Sequence, residues 1–217
     1  FLLHELASGG YLTARQQELL RAEYETRYAR FAALAQPRIA DVKLMVAIEP
    51  ERRALAVEGE YALENRSGQP LRDIVLYQQR GARFTPRFAL PATLVAADPE
   101  RGFYHYRLAA PLAAGARTTL AFEVGYAPRG LLGLGSDTPV IDNGTFFTNA
   151  VLPRIGYQPS VELEDARDRR RHGLARRDDP ARDDQAGRAR HGLGVDADWV
   201  GFEATVSTSP DQIALAP

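Results

Sequence analysis

The sequence predicts a mainly β protein, a bent antiparallel β-sandwich preceded by one amphipathic α-helix. Three observations carry that expectation. Apolar residues alternate with polar ones at Val42, Leu44, Val46 and Ile48, and again at Leu55, Val57, Gly59, Tyr61 and Leu63, the period-two pattern of strands with one buried face. Short runs of the same kind recur down the chain between Gly and Pro residues, as in sandwiches. A helical period is confined to the residues before Pro37.

Residues 11–35 read as the helix. Thr13 with Gln16 three residues later fits a capping box, in which each side chain satisfies a free backbone N–H near the other. Leu20, Tyr24, Tyr28 and Phe31 recur at helical spacing with Arg and Glu on the remaining faces. That stripe must lie on the following domain or on a partner, and its tyrosines read as packing residues. Pro37 pushes Gln36 out of helical geometry and ends the element. From Ile39 the first strand sends Asp41, Lys43, Met45 and Ala47 to the face opposite Val42, residues 49–53 turn, and residues 55–63 return as a hairpin. Asn65-Arg66-Ser67-Gly68-Gln69-Pro70 closes it with turn formers. Runs at 74–78, 92–96, 103–108 and 118–126 extend the sandwich, with Gly81, Pro86, Pro91, Pro99 and Gly115 as punctuation.

Residues 127–159 lose the alternation and become Gly-rich at Gly130, Gly133, Gly135 and Gly144. No Lys-Ser/Thr follows, so a phosphate-cradling loop gives way to a long connection. Asp142-Asn143-Gly144-Thr145 reads as a turn leading into Phe146-Phe147. Residues 162–198 are a charged loop insertion, with Arg169-Arg170-Arg171-His172, Arg176-Arg177-Asp178-Asp179 and Arg182-Asp183-Asp184. Its local charge balance predicts a solvated, mutually paired or partly disordered loop. Arg171-His172-Gly173-Leu174 recurs as Arg190-His191-Gly192-Leu193, too short a match for a repeat architecture. Val200, Phe202, Ala204 and Val206 then predict a strand, residues 207–211 a turn, and Gln212-Ile213-Ala214-Leu215 the start of another strand. The expected organisation is an N-terminal segment and linker helix over 1–36 and a β-sandwich domain over 37–217. With Phe1-Leu2-Leu3 at one end, Met45 as the sole Met and a new run just before Pro217, the chain is expected to be a piece of a larger protein.

Composition narrows the function. At 217 residues, 45% hydrophobic and 25% charged, the chain has an ordinary globular balance. A formal net charge of -1 argues against a nucleic-acid partner. The lack of Cys excludes disulfides, thiolate chemistry and Cys-ligated zinc. No apolar run reaches the roughly 18 residues of a membrane span, and no signal peptide is legible. His4-Glu5-Leu6-Ala7-Ser8 opens like H-E-x-x-H, but Ser8 stands where the second imidazole is needed. His105 reads as a surface or rim strand residue, and His172 and His191 lie in the charged insertion without a metal-ligand spacing. No G-x-S-x-G elbow is present and no carboxylate pair stands out. The chain itself is expected to be non-enzymatic, with no catalytic residue, metal or cofactor.

Two sets of residues resemble known families. The hairpin Asp41-Val42-Lys43-Leu44 through Val57-Glu58-Gly59-Glu60-Tyr61, the Pro111-Leu112-Ala113-Ala114-Gly115 turn before residues 120–126, and Phe202-Glu203-Ala204-Thr205-Val206 resemble the N-terminal β domain of aminopeptidase N-like zinc metallopeptidases, the gluzincins. In that family a Pro-Leu-x-x-Gly turn and a late Phe-x-x-x-Val strand occupy such positions. Tyr24-Glu25-Thr26-Arg27-Tyr28, Gln36-Pro37-Arg38-Ile39, Asn143-Gly144-Thr145-Phe146-Phe147, Leu152-Pro153-Arg154-Ile155-Gly156-Tyr157 and residues 169–174 are similar to bacterial membrane proteins that join an ABC-type transporter permease-like part to an aminopeptidase-like part. The resemblance implies that residues 11–35 follow a membrane helix and that the β domain lies on the extracytoplasmic, periplasmic side. Its partners would be a downstream peptidase-like domain, the membrane-embedded part of the parent and peptide substrate. Zinc would belong to the downstream domain, since this chain departs from a complete peptidase by lacking H-E-x-x-H with its distant Glu and the Gly-x-Met-Glu-Asn motif. Some family members hold the substrate amine with an N-domain Gln or Glu; the corresponding loop lies near 146–158, where Asn149 and Gln158 are the substrate-binding candidates.

Two other readings compete. The domain and its insertion would serve as an interaction module of a parent that has lost peptidase activity, or as a glycan-binding sandwich presenting Tyr104, Tyr106 and Phe147. Retention of H-E-x-x-H downstream separates the first from the peptidase reading, and glycan-array silence would remove the second.

Overall fold

The computed structural model describes residues 12–129, 138–141, 144–177 and 199–215. Its strands are β1 (Arg38–Glu49), β2 (Ala54–Glu64), β3 (Leu71–Tyr77), β4 (Arg83–Phe88), β5 (Ala92–Asp98), β6 (Phe103–Leu112), β7 (Arg117–Tyr126), β8 (Arg154–Ile155) and β9 (Gly201–Ser207). Its α-helices are α1 (Ala14–Tyr28) and α2 (Ala166–Arg171). The strands form a five-stranded sheet ordered β4-β7-β2-β1-β9 and a four-stranded sheet ordered β5-β6-β3-β8. The expected mainly β, two-sheet architecture is therefore the observed one.

The β1–β2 hairpin centres the larger sheet. Val42 faces Tyr61, Leu44 faces Gly59 and Val46 faces Val57, so both apolar sets share one face. Phe122 of β7 lies across Gly59, where a Cβ would come within 2.1 Å of the ring; only glycine leaves the ring its place. Leu55, Val57, Leu63, Leu120, Phe122 and Val124 from this sheet join Ile74, Leu76, Leu108 and Leu112 from the other in one buried core. Each such side chain contributes roughly 1.5–3 kcal/mol by leaving water.

Several expectations need correction. Pro86, read as punctuation, lies inside β4 opposite Phe122. As an edge strand β4 pairs on one side only, so a residue without an N–H is tolerated there. The sandwich is not wholly antiparallel: β9 runs parallel to β1, from Asp41 opposite Gly201 to Ala47 opposite Ser207. A strand entering after a long crossover, not a tight turn, can take that direction. The strand expected at Gln212 is a turn, Gln212 N–H donating to Ser209 C=O at 3.0 Å, followed by residues outside any ladder. The first helix, expected to run to residue 35, ends at Tyr28; a 3-10 turn over Ala29–Phe31 follows and Phe31 meets Phe103 and His105, at 5.1 and 5.2 Å between centroids.

The insertion also differs from a solvated loop in its first part, because residues 166–171 form α2 and a second helix joins the expected one. Asp165 caps α2, accepting from the N–H groups of Arg167 and Asp168. Gly173, at φ 68°, lets Gly173 and Leu174 donate back to Arg170 and Arg169, a Schellman ending that needs the left-handed conformation. Residues 178–198, with His191 and the second Arg-His-Gly-Leu, lie outside the described residues, as do His4 through Ser8, Gly130, Gly133, Gly135, Asp142 and Asn143. Among the described residues no helix is long and apolar enough to cross a membrane.

Candidate functional site at the helix dock

Alternation on β3 sends Ile74 and Leu76 into the main core, while Val75 joins Tyr24, Phe103 and Tyr157 in a second buried cluster on the opposite face. Helix α1 lies on that outer face. Its start follows the expected capping box, with Gln16 N–H donating to the Thr13 hydroxyl and Thr13 N–H to the Gln16 side chain. Its apolar stripe is narrow, Ala22 and Tyr24 being its buried residues, so rings and charges do most of the docking. Tyr24 stacks on Tyr157 at 5.0 Å and meets Tyr77 edge-on at 5.8 Å. Tyr28 stacks on Phe103 at 3.8 Å and donates to Asp98 at 2.8 Å.

Burial pushes the Tyr24 and Tyr157 hydroxyls far above their ordinary range. Tyr28 is pushed up to about 12, first by burial and then by its bond to the Asp98 carboxylate. These hydroxyls stay protonated at neutral pH and act as hydrogen-bonding groups, not as general bases.

Charged side chains close the dock. Arg169 of α2, 3% exposed, makes a forked pair with Glu25 at 2.7 and 2.8 Å and donates to the carbonyls of Leu163 and Ala175 at 2.6 and 2.7 Å. Bonding to Glu25 raises its pKa further. Glu18 accepts from Arg171 and lies 2.9 Å from His172 Nε2; burial opposes its charge, but these two partners hold its carboxyl below the usual range. Arg101 joins Glu23 on α1 to Asp98. Arg21 donates to the carbonyls of Val161 and Ser160 at 3.0 and 3.3 Å.

Past α1, Gln36 imitates a neighbouring strand. Its side-chain oxygen accepts Val75 N–H at 2.8 Å and its nitrogen donates to Asp73 C=O at 3.2 Å. Gly156 N–H takes the Val75 carbonyl at 2.8 Å. A cleft of about 370 Å³ opens beside this clasp, lined by Phe31, Leu34, Gln36, Arg38, Arg66 and Tyr157 among others.

The structure places Asn149 and Gln158 differently. Asn149 is exposed at the start of a 3-10 turn, Asn149–Val151. Gln158 is 2% exposed; its amide donates to the carbonyls of Ile155 and Gly156 at 3.0 and 3.2 Å, and its backbone N–H donates to the Tyr24 hydroxyl at 2.9 Å. His105 is not a rim residue: it is 7% exposed, with Nε2 2.8 Å from Asp73. Burial opposes the Asp73 charge, but bonds from His105 and Arg107 hold that carboxyl low. Tyr104 and Tyr106 turn inward onto Phe84 and Phe88, 5.2 and 5.1 Å between centroids, and Phe147 packs on the main core. These three aromatics finish a core. Among the described residues no group of three or more His, Asp or Glu side chains is placed to hold a metal ion.

Four stretches distant in sequence thus meet at one place: 24–28, 36–39, 152–157 and 169–174. The signals that sequence reasoning missed there are Glu25 and Arg169, since nothing local joins residues 144 positions apart. What the arrangement does chemically is bind one segment of the chain to another.

No protein-family model matches the chain, and no curated protein matches it. Among solved structures it is similar to the M1 zinc metallopeptidase from Deinococcus radiodurans, with 18% identity and a TM-score of 0.35, over 43% of this chain and 21% of that one. A mutant of that metallopeptidase bound to a Tyr-Ser-Ala substrate gives the same values. The chain therefore aligns with about a fifth of those proteins.

Proposed function

We propose that this chain is the non-catalytic N-terminal β domain of a membrane-anchored, aminopeptidase-like and ABC transporter permease-like protein, and that it packs on and walls a downstream zinc metallopeptidase domain. One observation carries the reading: the residues that resemble the gluzincin N-domain gather on the larger sheet, as the β1–β2 hairpin, β7 and β9 beside β1, with Pro111 and Leu112 ending β6 of the smaller sheet just before the turn that leads into β7. An exopeptidase admits only a chain end, so its active site needs walls, and a rigid sheet beside it supplies one. Phe202, Ile213 and Leu215 stay 62%, 87% and 91% exposed, which fits a domain with a further apolar surface to cover near β9. Helix α1, fastened along the smaller sheet, would then fix the wall relative to the membrane part. In this reading zinc is held by the downstream domain, which supplies the Lewis acid, while the present chain contributes shape and position.

The test uses the parent protein. Purified in detergent, it is expected to hydrolyse aminoacyl reporter substrates and to lose that activity on chelation. A parent that carries no peptidase-like segment after this domain overturns the proposal, and one that carries the segment but shows no hydrolysis favours an interaction module.

A further inference from the structure

Helix α1 is docked on the smaller sheet through Tyr24, Tyr28 and Glu23, and it also meets the segment 154–174 along most of that segment's length. On the sheet side the anchor is concentrated at the start of the segment: Ile155 pairs opposite Leu76 and is buried in the main core, Arg154 lies over the Tyr77 ring at 4.6 Å, Gly156 N–H donates to the Val75 carbonyl, and Tyr157 meets Val75 and Phe103. On the helix side stand the Tyr24–Tyr157 stack, the Gln158 N–H on the Tyr24 hydroxyl, the Arg21 bonds to Ser160 and Val161, and the ion pairs of Glu25 with Arg169 and Glu18 with Arg171. Contacts from α1 therefore run along nearly the whole segment. Gln158 sits in the middle of it, buried, its amide spent on the carbonyls of Ile155 and Gly156.

We infer that α1 and residues 154–174 form one cooperative latch, in which docking of the helix sets the order of the segment and keeps Gln158 folded inward. Past the sheet anchor at 154–157, the partners of the segment lie mainly on α1, and such a stretch loses its order when that element leaves, since few contacts remain to offset the entropy of the freed chain. The coupling is reciprocal: loosening the segment loosens the helix by the same free energy. Its consequence for a site that binds a peptide amine near Gln158 rests on the function proposed above, because that role for the loop comes with the peptidase reading. Under it, motion of whatever precedes α1 reaches the loop directly, and Gln158 becomes available only when the latch opens.

Amide hydrogen exchange on the 217-residue chain tests the latch without any peptidase assay. Tyr24→Phe keeps the ring and removes the acceptor, so exchange at Gln158 is expected to rise on the order of fivefold, the effect of one lost hydrogen bond. Tyr24→Ala removes the stack as well, and exchange across 154–174 is expected to rise at least about tenfold while β1 and β2 keep their protection. Arg169→Gln is expected to raise exchange across α1. The latch is overturned if 154–174 keeps its protection in Tyr24→Ala, if that protection is lost only together with β1 and β2, or if α1 is unchanged in Arg169→Gln. Loss of hydrolysis by the parent would sink the peptidase reading and leave these outcomes as they are.

Discussion

Arg169 is the residue on which the insertion turns. Within the sequence it is one Arg of three in a row, facing a local balance of charge that reads as solvated. In the fold it is buried, with its charge met by Glu25 and two carbonyls. Removing the partner leaves a guanidinium held by two carbonyls and no carboxylate, a loss of up to about 3 kcal/mol. Glu25→Ala is thus expected to lower the urea midpoint by an amount equivalent to up to about 3 kcal/mol, whereas Glu58→Ala, on an exposed strand position, stays within about 0.5 kcal/mol. Equal effects for the two would contradict the pairing. His105 was illegible for the same reason: alternation says which face it takes, but only the fold brings Asp73 and Phe31 to it.

Helix α1 shows how far an element can be read from its own residues. Thr13 and Gln16 predict its start because a capping box is a local arrangement, and the structure contains it. Its end is set by Phe31 finding Phe103, a tertiary contact, so Pro37 misplaces it. Strand β4 was missed because Pro86 forbids a central strand and sequence alone does not tell edge from centre. The dock itself has a pH signature. The Tyr28 pKa is raised from 10.0 to about 12, so the unfolded chain loses that proton first as pH rises. The contribution is complete below pH 10.0 and is lost as pH climbs through about 12. Melting temperature is expected to fall from about pH 10 upward, and to fall less steeply in Tyr28→Phe than in the parent sequence. Identical alkaline profiles would show that Tyr28 does not report the dock.

Across the molecule, the two-sheet core was legible because each strand declares its buried face through period-two alternation. The partner of each strand was not. Phe202, Ala204 and Val206 announce β9 as a strand, and nothing in their pattern says that it lies parallel beside β1. Val206 packs at the margin of the main core, so Val206→Ala is expected to cost about 1 kcal/mol. Because this pairing joins distant parts of the chain, it forms late: stopped-flow measurements should find unfolding about fivefold faster and folding nearly unchanged. A slower folding rate would place β9 in the nucleus.

That pairing also sets a schedule for synthesis. Ser207 bonds to Val46 across 161 residues, and a ribosome adding about 5–20 residues per second needs roughly 8–32 s to cover that distance. Throughout that interval the β1–β2 hairpin can be complete while the flank of β1 still shows bare N–H and C=O groups to its surroundings. A nascent chain in that condition offers neighbouring strands a template, and chaperone demand should be greatest between the emergence of β1 and that of β9.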